Sequence, residues 1–144
     1  ETMSYLKKGS LGLGLDNLEE AKSYLKKSST ISKLNIKMSK GIGLALNNHI
    51  LKANKLFQKL VKNYPYHSIL HYDLALTYAE LKNFPKAYYH FLRAYHLDSS
   101  NYLAGVFALM AGKISHYKTD MIKRGVIDIL NSENPDSKIY EAMI

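Results

Sequence analysis

The stretch SILHYDLALTYAELKNFPKAYYHFLRAYHLDS (residues 68–99) decides the fold class of this chain. Apolar side chains recur at spacings of three and four residues on both sides of a short break at residues 82–85. Such spacing is typical of amphipathic helices, whose repeat is about 3.6 residues. One side of the second segment combines small and aromatic residues, namely Ala87, Phe91, Ala94 and Tyr95. We therefore expect two helices joined by a tight turn.

Two residues of this stretch repeat an earlier pair at a fixed distance. Ala87 and Phe91 repeat Ala53 and Phe57, and the offset in sequence number is the same for both (87 − 53 = 34 and 91 − 57 = 34). A period of this size is typical of stacked helical hairpins, because each hairpin buries its apolar face against its neighbour. The sequence therefore predicts a helical repeat protein rather than an irregular bundle.

The order of large, small and aromatic residues resembles the tetratricopeptide repeat (TPR) family. The residues that carry the resemblance are Leu74, Ala75, Tyr78, Ala87, Phe91 and Ala94. Two helices approach to about 8–10 Å only where small residues admit the neighbouring side chain. The sequence departs from the family at Ser99, where TPRs commonly have Pro, and at His71, where they often have Trp. The resemblance implies an all-α fold, a right-handed superhelical solenoid of antiparallel helix pairs.

The resemblance covers nearly the whole chain and implies about four hairpins, of which the outer ones are degenerate. The expected hairpins occupy residues 1–29, 30–65, 66–99 and 100–133, and a further helix starts within residues 136–144. The first unit is shorter than the others, since the offset from Ala21 to Ala53 is smaller (53 − 21 = 32). The last unit loses its aromatic, since Gly125 stands where Phe91 would repeat. We expect residues 1–144 to form one solenoid segment of a longer protein.

Composition places the chain among folded proteins. Of its 144 residues, 47% are hydrophobic, three are Pro and eight are Gly, which argues against low-complexity disorder. The lack of cysteine excludes disulfide bonds and thiolate metal sites. No apolar run approaches the roughly 18 residues of a membrane-spanning helix, and the first residues show no signal peptide. We expect a soluble segment of the cytoplasm or the periplasm, and the sequence leaves the oligomeric state open.

The net charge of +8 comes mostly from lysine, since Arg93 and Arg124 are the only arginines. Nucleic-acid readers often use Arg for paired contacts with bases and phosphates. Evenly scattered lysines are more typical of a solvated surface. An acidic partner, an anionic lipid surface and a nucleic acid are the alternative interpretations of this charge.

No set of residues predicts catalysis or metal binding. His67 and His71 lie one helical turn apart, but no third ligand is placed to complete a zinc site. His71 has the core-facing phase of the family's Trp, so we expect a packed histidine. The glycine pairs within residues 12–14 and 41–43 lack a third glycine and follow no predicted strand, so neither predicts a nucleotide loop. The sequence predicts no cofactor and no enzymatic activity.

The resemblance implies a concave groove lined by the first helix of each hairpin. The positions with that phase are Met38, Ile42, Ile69, Tyr72, Leu76, Ala79, Val106 and Met110. Chaperone-binding TPRs carry Lys and Asn at such positions to hold a terminal carboxylate, whereas this groove is apolar. An apolar groove predicts a partner helix or a hydrophobic peptide as ligand. Packing between neighbouring repeats is the alternative role for these side chains.

Three functions are compatible with these features. The first is a non-catalytic scaffold that binds another protein in the groove, and the twelve tyrosines favour such contacts. The second is a module of a bacterial envelope assembly such as a flagellar motor, pilus or outer-membrane complex, suggested by the Lys-, Asn-, Tyr- and Ile-rich composition. The third, less favoured by the scattered lysines, is a basic helical repeat that binds nucleic acid.

Overall fold

The computed structural model describes residues 18–133 and 137–144, and over these residues it contains seven helices and no strand. The helices are α1 (Leu18–Leu46), α2 (Ile50–Asn63), α3 (Ser68–Glu80), α4 (Phe84–Leu97), α5 (Tyr102–Ile114), α6 (Asp120–Glu133) and α7 (Ser137–Met143). The all-α class expected from the sequence is confirmed. The turn expected within residues 82–85 lies at residues 81–83, and Phe84 and Pro85 already belong to α4.

The chain divides into two compact units, residues 1–40 and 41–144, with the boundary inside α1. The hairpin boundary expected after residue 29 differs from the structure, because α1 continues through it. No Gly or Pro interrupts this part of the chain. The hydroxyl of Thr30 donates a hydrogen bond to the Lys26 carbonyl (3.0 Å) inside α1, so this side chain does not mark the start of a new helix. Most of the expected first hairpin, residues 1–17, lies outside the described residues.

Consecutive helices of the second unit pack against each other from α2 to α7, and α7 also contacts α5. The connections between α2 and α6 are three to five residues long. Connections this short return the chain alongside the preceding helix, so the neighbours are antiparallel. The second unit is therefore a row of helical hairpins.

The seams of the first two hairpins combine a small residue with a buried phenylalanine. In the pair α1 and α2, a Cβ added at Gly41 would lie only 2.5 Å from Cζ of Phe57. In the pair α3 and α4, Ala75 and Ala87 are fully buried and Phe91 is nearly so. The ring of Phe57 thus occupies space that any side chain at position 41 would need.

The third hairpin, α5 and α6, reverses the sizes at the equivalent positions. Leu109, which is buried, stands one period after Ala75, and Gly125 stands one period after Phe91 (109 − 75 = 34 and 125 − 91 = 34). The core here consists of Ala94, Tyr95, Ala104, Val106, Leu109, Val126 and Leu130. The large side chain has moved from the second helix of the hairpin to the first. The seam signature therefore fades in the sequence, and a Cβ added at Gly125 would lie 3.2 Å from the hydroxyl of Tyr95 on α4.

A backbone turn recurs with the same period at the ends of α1, α3 and α5. Asn48, Lys82 and His116 all have left-handed backbone conformations, with φ of 63°, 61° and 61°. Each of them donates to the carbonyl three residues back, and the next residue donates to the carbonyl five residues back, at 2.8–3.2 Å. This is the Schellman pattern of helix ends. The period (82 − 48 = 34 and 116 − 82 = 34) therefore continues into the third hairpin.

Asparagine side chains begin two of the following helices. Asn83 and Asn101 each accept a hydrogen bond from the backbone N–H three residues later, at 3.3 Å, and so cap α4 and α5. No asparagine has this role at the start of α2. His49 holds that position instead and makes no capping bond with its side chain. The reason is that Asn48 already forms the left-handed end of α1.

Truncating the seam phenylalanines should destabilise the fold strongly. Phe91→Ala and Phe57→Ala should each lower the free energy of unfolding by about 3–5 kcal/mol, because each leaves a ring-sized cavity. Leu51→Ala is the control, since Leu51 is 56% exposed on α2 and its loss should change stability by less than about 0.5 kcal/mol. Urea unfolding followed by circular dichroism measures these values. Equal effects of all three substitutions would contradict the seam.

Glycine at the repeated turns should stabilise the protein. Lys82→Gly and His116→Gly should each raise the free energy of unfolding by about 0.5–1 kcal/mol, because only glycine adopts this conformation without a steric penalty. Lys86→Gly, inside α4, should lower it by about 1 kcal/mol. Urea midpoints compare the three variants. A loss of stability at position 82 or 116 would show that its side chain matters more than its backbone.

Candidate functional site

The first groove lies beside α3 and is reached by residues of α1 and α2. It has a volume of about 520 Å³ and is lined by Ile42, Ala45, Leu46, Asn48, Ile50, Phe57, Asp73, Leu76 and Glu80. Most of these side chains are apolar, and Leu46 is 82% exposed at the edge. Leu46 occupies the last helical position before the left-handed turn, so the turn holds it at the mouth of the groove.

Two carboxylates lie along the α3 wall of the first groove. Oδ2 of Asp73 is buried and accepts no hydrogen bond from any residue that the structure describes. Burial raises the pKa of the Asp73 carboxyl to about 6. Glu80 stands two helical turns further along the same wall and is exposed. The first groove therefore combines an apolar lining with negative charge.

The second groove lies between α3, α4 and α5. It is smaller, about 190 Å³, and is lined only by apolar residues: Leu76, Ala79, Phe84, Phe91, Phe107, Met110, Ala111 and Ile114. The rings of Phe91 and Phe107 lie 5.6 Å apart. Leu76 lines both grooves and is 36% exposed. The two grooves therefore adjoin at one side chain of α3.

Four of the eight predicted groove residues line these grooves. They are Ile42, Leu76, Ala79 and Met110. Ile69 is 53% exposed near the start of α3 but lines neither groove. Met38 belongs to the other compact unit of the chain.

The two remaining predicted residues lie in the packing between helices. Val106 is fully buried in the core of the third hairpin and presents no surface to a partner. The reason is its position on α5, since α6 and its Val126 pack against the same core. Tyr72 is half-buried, with its ring centroid 5.8 Å from that of Phe91 and 6.4 Å from that of Phe107. It supports the wall behind the second groove.

Several groove residues escaped the sequence analysis although the repeat indicates three of them. Leu46, Glu80 and Ile114 follow one another at the period of the repeat (80 − 46 = 34 and 114 − 80 = 34) and line one groove or the other. Extending the period from any of them would have found the set. Phe107 lies one period after Asp73 (107 − 73 = 34), so the equivalent position holds an acidic side chain in one hairpin and an aromatic one in the next. Only the structure connects these residues with a groove.

The histidines form a packed cluster rather than a metal site. Nε2 of His71 lies 2.7 Å from the carbonyl of Pro65, which only accepts, so His71 carries its proton there. Nδ1 of His71 then accepts from Nδ1 of His90 at 3.0 Å. Nδ1 of His67 accepts from the backbone N–H of Leu70 and caps α3. Over the described residues, no three His, Asp or Glu side chains come together as a metal site requires.

Burial favours the neutral form of these histidines. It lowers the pKa of His90 to about 4, with the positive charges of His71 and Lys86 acting in the same direction. Burial also lowers the pKa of His71, which is only 4% exposed, although its bond to Pro65 opposes the shift. The packed histidine expected at position 71 is thus what the structure contains.

No helix among the described residues has the length and apolar character needed to cross a membrane.

No protein-family model matches the sequence, and no curated protein matches it. The resemblance to the TPR family therefore depends on the seam residues and on the period of the repeat. The functional interpretation depends on the two grooves.

Stability should respond to pH through two opposing groups. The folded pKa of His90 lies below its ordinary 6.5, so its contribution is present above pH 6.5 and is lost as the pH falls towards 4. The folded pKa of Asp73 lies above its ordinary 3.8, so its contribution is present below about pH 4 and is lost as the pH rises through 6. Between pH 4 and 6 the two slopes have opposite signs.

Asp73→Asn should therefore steepen the loss of stability on acidification. With the opposing carboxyl removed, the urea midpoint should fall more between pH 6.5 and 4 than it does in the parent protein. Asp128→Asn, an exposed position on α6, is the control and should leave the slope unchanged. Identical slopes for the parent and Asp73→Asn would show that the carboxyl is solvated in solution.

Proposed function

We propose that this chain is a non-catalytic, TPR-like scaffold that binds a helix or peptide of another protein along the two grooves. The observation that carries the proposal is Leu76, which is partly exposed between two apolar grooves on neighbouring hairpins. Repeat proteins of stacked hairpins use such continuous surfaces for binding. The chain resembles that class in its period and in its seam residues.

The exposed apolar side chains around the grooves support this function. Ile42, Leu46 and Ile114 are 44%, 82% and 54% exposed, and each lines one of the two grooves. Apolar patches bordered by polar residues are typical of interaction sites on soluble proteins. An amphipathic helix presents apolar side chains at positions i, i+3, i+4 and i+7, which suits a long apolar groove. A partner that covers these side chains would remove them from water.

The charge at the grooves favours a protein over a nucleic acid. The first groove contains Asp73 and Glu80, and no Lys or Arg among the described residues lines either groove. A phosphate backbone binds where lysines and arginines replace its counterions. The net charge of +8 lies elsewhere on the chain, so the grooves are poor sites for nucleic acid.

Placing charge in the grooves should abolish binding. An amphipathic helical peptide with Leu at i, i+3, i+4 and i+7 is the probe, and fluorescence anisotropy gives its affinity for the full chain. Ile42→Glu combined with Leu76→Glu should weaken binding at least about 100-fold, because each buried, unpaired carboxylate costs several kcal/mol. Far-UV circular dichroism checks that the helical content is unchanged.

The matched control places the same two charges away from the grooves. Leu51→Glu combined with Tyr89→Glu changes two exposed residues, 56% and 61% accessible, that line neither groove. This variant should bind the peptide as the parent does. Equal losses in both variants would count against the grooves as the binding surface, and unfolding of the groove variant would show that Ile42 and Leu76 belong to the core.

A further inference from the structure

Helix α3 presents an alternating acidic and apolar pattern to the first groove. Asp73, Leu76 and Glu80 stand at positions i, i+3 and i+7, so they share one face of the helix. At 1.5 Å per residue, the two carboxylates are separated by about 10 Å along the axis. Leu76 lies between them and is partly exposed. The pattern has a defined spacing that a second helix can complement.

One of these carboxylates lacks a partner within the described residues. Oδ2 of Asp73 is buried and accepts no hydrogen bond. A buried carboxylate oxygen without a donor costs about 1–3 kcal/mol, and more when the group is ionised. Asp73 as a whole is only partly buried and lines the first groove, so a cationic group of a ligand can pair with this carboxylate and offset the cost of its burial. The ligand would then gain a charge-assisted hydrogen bond in a partly desolvated site, where such bonds are strong.

The charge of the first groove is opposite to that of the chain. The chain has 20 Lys and Arg residues against 12 Asp and Glu. Among the described residues, the lining of the first groove nevertheless includes two carboxylates and no Lys, Arg or His. A local reversal of sign on a basic protein makes a basic ligand favourable here and an acidic one unfavourable.

We propose that the first groove selects a helix of a different protein that carries Lys or Arg at positions i and i+7 with an apolar residue at i+3 or i+4. The two basic side chains pair with Asp73 and Glu80, and the apolar one packs on Leu76. This inference rests on the proposed function, because it names the chemistry of the partner for the same groove. The first groove then prefers a basic ligand, whereas chaperone-binding TPRs hold a terminal carboxylate.

A second copy of this chain is the competing occupant. Lys33, Ile36 and Lys40 on α1 also stand at i, i+3 and i+7, all three are exposed, and Ile36 is 70% accessible. A copy that docked through them would leave its own first groove open for the next copy. Such a head-to-tail contact builds open chains unless its rotation happens to close a ring. We therefore favour a separate partner, and sedimentation distinguishes the two.

Three peptides that differ only in charge test the proposal. Each is an amphipathic helix with the same apolar face, and the positions i and i+7 carry Lys, Gln or Glu. Fluorescence anisotropy with the full chain at neutral pH should show that the Lys peptide binds at least about tenfold more tightly than the Gln peptide, and the Glu peptide more weakly than both.

Isosteric variants then assign the preference to the two carboxylates. Asp73→Asn combined with Glu80→Gln should bring the Lys peptide to the affinity of the Gln peptide and leave the Gln peptide unchanged. Asp120→Asn combined with Asp128→Asn makes the same change of charge at exposed positions of α6 and should keep the tenfold preference. Circular dichroism checks the folding of both variants.

The contrary outcomes separate the inference from the function on which it rests. If the three peptides bind equally, or if the groove variant keeps the preference, the charge selection is wrong and the apolar scaffold stands. If none of them binds, the proposed function is wrong as well. If the parent chain self-associates in sedimentation velocity and Lys33→Glu combined with Lys40→Glu abolishes the association, a second copy occupies the groove and the proposal is overturned.

Discussion

Aromatic rings packed against glycines determine how closely two helix pairs of the second unit approach each other. The ring of Phe57 lies over Gly41, that of Tyr95 over Gly105 and that of Tyr88 over Gly112, each so close that an added Cβ would meet it at 2.5–2.9 Å. These contacts join α1 to α2 and α4 to α5. Because the rings fill the space between the backbones, the helices lie close enough to bury the small residues of the seams. Phe57, one of these rings, also lines the first groove.

The sequence predicted the helices well where apolar spacing and neighbouring residues determine their boundaries. The apolar spacing within residues 68–99 indicated two helices, and Asn83 and Asn101 mark the beginnings of α4 and α5. The end of α5 was harder to recognise, because three different residue types, Asn48, Lys82 and His116, hold the same left-handed turn. The exchange of a large and a small residue at Leu109 and Gly125 also hides the repeat. The side chain nearest to a Cβ added at Gly125 belongs to Tyr95 of α4, and the sequence of α5 and α6 alone does not reveal it.

The sequence predicted the apolar residues of the grooves that follow the repeat but missed those whose position depends on packing between helices. Ile42, Leu76 and Met110 follow the period of the repeat, and an apolar residue at each position indicates a continuous surface. Val106 also lies on the apolar face of α5, but α6 covers it. The spacing of apolar residues in one helix does not reveal which other helix packs on that face. Asp73 was missed because a charged residue in a helix is ordinarily placed in solvent. Its burial depends on α1 and α2, which come much earlier in the chain.

The position of Leu76 in the walls of both grooves has a thermodynamic consequence. If ligands bind in the grooves as proposed, a ligand in the first groove would favour certain rotamers of this side chain, and the same rotamers would then shape the second groove. Two ligands that prefer the same rotamer bind cooperatively, and two that prefer different rotamers oppose each other. By linkage, the effect of the first ligand on the second equals the effect of the second on the first. Ligands on neighbouring hairpins would in this way be coupled through one side chain, without any movement of the helices.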